Sequence, residues 1–203
     1  MEDKQSFMEL MIFIRILLKR WWIIFIVLLV TFIGTYLLSS TKTPIYSAVA
    51  TYVVSPSSQL LDEIGFLSGL SVLGGQPTVA NTFATIASST SVKQKASASL
   101  GLTSAQAKDI LVFSRVQTGT NVIEISVEGT DPLLVQVFTN KIGESTIEYV
   151  KNLNGVYDLK VLDPAISPEN PIKPNMRLNL VLGAVLGLVL GIGVSFLSGL
   201  KEY

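Results

Sequence analysis

Two uninterrupted apolar runs frame the chain, residues 21–38 near its start and 178–200 at its end, and neither contains a charged side chain. As helices rising 1.5 Å per residue they would reach about 27 Å and about 34 Å, enough to cross a hydrocarbon core of roughly 30 Å, the second with some tilt. Both read as membrane spans, over 21–40 and 178–200. Ala48-Val49-Ala50 has the small-x-small form of a signal-peptide cleavage site, but it follows an apolar stretch longer than the usual signal core, so the first span reads as an uncleaved anchor. Ahead of it, Phe7, Leu10, Met11, Ile14, Leu17 and Leu18 recur at helical spacing within residues 1–20. That pattern fits an amphipathic segment lying in the cytoplasmic interface, or equally the protruding end of one long helix.

Between the spans, residues 41–177 alternate between strand-like and helix-like patterns. IYSAVATYVV, after Pro44, is rich in β-branched and aromatic residues and reads as a strand. Residues 55–77 mix Ser, Gly and Pro with Leu60, Leu61, Ile64, Phe66, Leu67, Leu70 and Leu73, which fits a short helix with a loop or an oligomer contact. TVANTFATIASS and SVKQKASASLGL read as two short helices, the second stopped by Gly101. Thr103 with Gln106 has capping-box spacing. ILVFSRV and NVIEISVEG, separated by the Gly119 turn, form a hairpin pattern, and in the second strand Ile123, Ile125 and Val127 alternate with Val122, Glu124, Ser126 and Glu128. Asp131-Pro132 opens a long helix with an apolar face as far as Leu153, ended by Asn154-Gly155. VYDLKVLDPAI then returns as a strand. The expected fold is an α+β extracytoplasmic domain anchored by two transmembrane helices, N- and C-terminal, with first and last strands adjacent so that the spans enter the membrane side by side.

Composition adds direction and exclusions. The chain has 203 residues, 49% of them hydrophobic, and no net charge. Arg15, Lys19 and Arg20 precede the first span, against Lys42 beyond it, which places the N-terminus in the cytoplasm. Two spans return the tail, 201–203, to the same side, although Lys173 and Arg177 before the second span argue weakly the other way. Residues 41–177 carry ten basic and eleven acidic residues, so no field marks a nucleic-acid partner. With no cysteine and no histidine, there are no disulfides, thiolate nucleophiles, imidazole bases or zinc sites of the common kinds. No phosphate-binding G-x-x-x-x-G-K-[ST] loop exists, and Asp62-Glu63 is the only adjacent acidic pair of the outer domain. No catalytic, cofactor-binding or metal-binding residues are expected, and the chain does not read as an enzyme.

Two periodic features remain. Pro168, Pro171 and Pro174 recur every third residue, the period of polyproline II, and residues 164–175 would extend about 35 Å in that conformation. The segment reads as a rigid coupling or docking edge, or as a solvated linker. Gly183, Gly187 and Gly191 form two small-xxx-small steps on one face of the second span, where a neighbouring helix could approach closely, while Gly193 and Gly199 are expected off that stripe.

The order of these parts resembles the Wzz chain-length determinant family, the polysaccharide co-polymerases, which include capsular adaptor proteins paired with bacterial tyrosine kinases. The resemblance rests on a basic N-terminus and span, Pro44-x-Tyr46-x-Ala48, Asp131-Pro132 with Asn140, and Ala165-x-x-Pro168-x-x-Pro171-x-x-Pro174-Asn175 before a Gly-rich span. It implies a bacterial inner-membrane protein with both termini cytoplasmic. Such a protein would form ring-like homo-oligomers and regulate the chain length of O-antigen, capsule or exopolysaccharide with a Wzy-type polymerase, a lipid-linked polysaccharide being a further partner. The family's proline motif would be Pro168, Pro171 and Pro174, and its small-residue span would be marked by Gly183, Gly187 and Gly191. The alternative it implies is a membrane adaptor that activates a cytoplasmic tyrosine kinase. The outer domain is shorter than that of the larger enterobacterial members, and three residues follow the second span, where kinase-paired adaptors carry an activating tail.

Overall fold

The computed structural model describes residues 18–57, 76–153 and 157–200. The amphipathic segment up to residue 17, the leucine-rich stretch with Asp62-Glu63, the Asn154-Gly155 helix end and the tail 201–203 lie outside the described residues. The chain divides into two compact units, residues 44–172 and residues 1–43 with 173–203.

The 44–172 unit has the expected α+β architecture. Its strands are β1 (Tyr46–Pro56), β2 (Leu111–Val116), β3 (Val122–Gly129) and β4 (Tyr157–Asp163). They form one sheet in the order β2-β3-β1-β4, with each neighbouring pair antiparallel. The first and last strands are therefore neighbours, with Val54 opposite Leu159 and a register shift between Thr51 and Tyr52. The Ile172 N–H donates to the Ile45 carbonyl at 2.7 Å, so the two ends of this unit lie together.

Alternation decides which face is buried. Ala48, Ala50, Tyr52 and Val54 of β1 point into the core with Ile123, Ile125 and Val127 of β3. Over this face pack α1 (Gln76–Ala87), α2 (Thr90–Ser99) and α4 (Pro132–Leu153), with the short α3 (Ser104–Lys108) between α2 and β2. Local chemistry sets the helix ends. Ser89 caps α2 through the Val92 N–H, and Gly101, at φ 64°, takes the left-handed conformation beyond its C-terminus. Thr103 and Gln106 form the reciprocal capping box of α3. Asp131 Oδ1 accepts from the N–H groups of Leu133 and Leu134 at the start of α4. Gly119, at φ 75°, lets the β2–β3 hairpin turn.

The second unit contains two long apolar helices, α5 (Trp21–Ser40) and α6 (Met176–Leu200), packed against each other. Both are long and apolar enough to cross a membrane. Asn175 caps α6 by accepting from the Leu178 N–H at 3.1 Å.

Candidate functional site

Along α6 the buried positions are Gly183, Gly187, Gly191, Ser195 and Gly199. The first three lie directly on α5. A Cβ built on Gly183 would fall against the Thr35 hydroxyl and 2.9 Å from Thr35 Cβ. One on Gly187 would strike the Thr31 hydroxyl and come 3.0 Å from Leu28 Cα, and one on Gly191 would lie 2.9 Å from Ile24 Cα. At Gly187 and Gly191 the obstacle includes backbone, so only glycine permits this separation. Thr31 Oγ1 donates to the Val27 and Leu28 carbonyls, and Thr35 Oγ1 to the Thr31 carbonyl, so neither hydroxyl is left unbonded at apolar depth. Asn179 Nδ2 donates across the helix pair to Ser39 Oγ at 2.8 Å. Gly193 is off the stripe with open space around it, but Gly199, expected off it, is buried. Each four-residue step turns 40° beyond a full revolution, so a stripe on a packed helix winds around its axis.

The proline segment departs from the straight polyproline rod expected of it. The chain bends at residues 169–170, and the Lys173–Pro174 peptide is cis. Pro168 and Pro174 are half-buried and Pro171 is exposed. What holds the start of the segment is α4. Asn140 Oδ1 accepts from the Ala165 N–H at 2.9 Å, and Asn140 Nδ2 donates to the Ala165 carbonyl at 3.1 Å. Gln136 Nε2 adds a longer bond to the same carbonyl, 3.4 Å. One side-chain amide thus pairs with both backbone groups of a residue only 3% exposed.

Three residues downstream on α4, Gly143 lies against the Tyr52 ring, which occupies the place a Cβ would take. Burial, and secondarily the charge of Glu144, push the Tyr52 phenol up to about 12. The phenol therefore stays neutral and acts as packing. No group of three or more acidic side chains arranged to hold a metal ion occurs among the described residues.

Residues 6–100 match the Wzz family model, chain length determinant protein, and residues 138–199 match the GNVR model, a G-rich domain described on tyrosine kinases. Over residues 6–100 the chain is thus similar to chain length determinant proteins. Asn140, Ala165, the three prolines and the glycine stripe all fall inside the 138–199 match. Capsular polysaccharide biosynthesis protein CpsC of Streptococcus agalactiae is 28% identical over 173 residues, 81% of this chain and 73% of that protein, and the protein of a serotype Ia strain matches to the same extent. A full-length bacterial polysaccharide co-polymerase shares the fold with a TM-score of 0.57 at 9% identity, over 94% of this chain and 97% of that one.

Proline and glycine spacing pointed to both segments. The Asn140 clamp, the Tyr52–Gly143 contact and the Thr31, Thr35 and Ser39 face of α5 were not found from residue chemistry. Two signals were present: Gly143 in the interior of a helix, where glycine costs about 1 kcal/mol relative to alanine, and small hydroxyl residues every fourth position in an apolar run.

Proposed function

We propose that this chain is a non-catalytic, oligomeric co-polymerase that regulates chain length in bacterial surface polysaccharide biosynthesis together with a Wzy-type polymerase. The observation that carries the reading is the chain-length-determinant match over the first span and the start of the α+β unit. The kinship with a capsular polysaccharide biosynthesis protein supports it, and a chain without histidine or cysteine lacks the commonest catalytic side chains. In this reading α5 and α6 cross the cytoplasmic membrane, both termini are cytoplasmic and residues 44–172 face outward. The close-packed helix pair would act as one rigid anchor, and copies would assemble as a ring. Pro168, Pro171 and Pro174 would couple the outer unit to the second span, with Asn140 fixing where the coupling begins. Deleting the gene and separating the surface polysaccharide by size tests this. An altered length distribution with synthesis retained is expected, and an unchanged distribution refutes it.

A second reading, an adaptor that activates a cytoplasmic tyrosine kinase, is favoured by the GNVR match over residues 138–199. Co-purification from detergent extracts separates the two. A kinase retained with the chain supports the adaptor, and its absence under conditions that retain the polymerase supports the co-polymerase.

A further inference from the structure

At the end of the helix pair formed by Ser40 of α5 and Met176 of α6, the two helices leave an open groove of about 300 Å³. Leu38, Leu182 and Leu186 give it apolar walls, while Ser39, Asn179 and Lys42 make one end polar. Asn179 is half-buried and already holds Ser39 through Nδ2 at 2.8 Å, so its position is fixed by α5. Lys42 is the charged residue of the lining. Residues 36–43 and 173–186 include Lys42, Lys173 and Arg177 and no carboxylate. A site with an ammonium and an amide at the bilayer interface and leucines below it matches a molecule with a phosphate head and an aliphatic chain. A free inorganic anion would leave the leucine walls unused, and an uncharged lipid would leave the cation unanswered.

We propose that this groove binds an anionic glycerophospholipid, its phosphate on Lys42 and Asn179 and one acyl chain along Leu182 and Leu186. Bound there, the lipid fills the groove beside the Ser39–Asn179 contact, and it ties anchor rigidity to membrane composition. The site rests on the reading of α5 and α6 as membrane spans, but not on control of polymer length, so its failure would leave the size-distribution experiment standing.

The test is native mass spectrometry of the full chain in mild detergent, titrated with phosphatidylglycerol or phosphatidylcholine of identical acyl chains. Wild-type chain should retain phosphatidylglycerol about fivefold better, the discrimination expected of one interfacial lysine. Lys42→Gln should lower retention to the phosphatidylcholine level. Leu182→Trp, which fills the groove without touching charge, should lower retention of both lipids. Circular dichroism matching wild type shows that the variants remain folded. Equal retention of the two lipids overturns the proposal, as does retention unchanged in both variants. Displacement by millimolar inorganic phosphate, or stronger retention of a polyprenyl phosphate, would also overturn it, because each identifies a different occupant.

Discussion

Tyr52 and Asn140 show what single side chains do in the α+β unit. With its phenol raised to about 12 from an ordinary 10, mainly by burial, Tyr52 favours the fold while neutral. That contribution is complete below pH 10 and is lost as pH rises through 12. In an ultraviolet titration of the six tyrosines, one should ionise near 12, and Tyr52→Phe should abolish that late step; six tyrosines titrating together near 10 would contradict the buried placement. Gly143→Ala should destabilise the unit by about 1–3 kcal/mol despite alanine's better helix propensity, because the added carbon meets the Tyr52 ring. Thermal unfolding of the detergent-solubilised chain measures it. Asn140→Ala leaves the N–H of buried Ala165 unpaired and its carbonyl with only the longer Gln136 bond, and should cost about 1–3 kcal/mol. Accelerated hydrogen exchange at the Ala165 amide would place the loss at the clamp, whereas unchanged exchange would show the amide to be held by something else.

Elements divide by whether local chemistry or a distant partner decides them. The β2–β3 hairpin, the capping box of α3 and the start of α4 were legible in the sequence, because Gly119, Thr103 with Gln106 and Asp131 act within a few residues of themselves. The alternation of Ile123, Ile125 and Val127 likewise carried the α+β assignment and the buried face of β3. Proline spacing speaks to local φ alone and is silent about the bonds that Ala165 makes to Asn140 or Ile172 makes to Ile45. Gly199 is buried as well, which small-residue spacing from Gly183 to Gly191 does not state. The helix pair permits a direct check in a chain that lacks cysteine. The Cβ positions at 35 and 183 come within 2.9 Å, closer than the ~3.8 Å of a disulfide, so Thr35→Cys with Gly183→Cys should cross-link rapidly on oxidation after a small relaxation. Phe32→Cys with Val185→Cys, both exposed on the helices, should not. Gly187→Leu, which meets the Leu28 backbone, should push the helices apart and abolish cross-linking, whereas Gly183→Ala, which meets only the Thr35 side chain, should be milder in the unmodified chain's thermal stability.

In the whole molecule the chain runs through an α+β unit, whose two ends lie together at Ile45 and Ile172, and two helices packed at glycine distance. The similarity to chain length determinant proteins gives that design its proposed use, the control of polymer length. Length control and synthesis are separable outputs, and they separate in one measurement. In a deletion background the chain is expressed at graded levels, and the surface polysaccharide is both quantified and sized on a gel. The modal length should appear and sharpen as expression rises while total polymer changes little. Total polymer that rises with expression at a constant length distribution would contradict it.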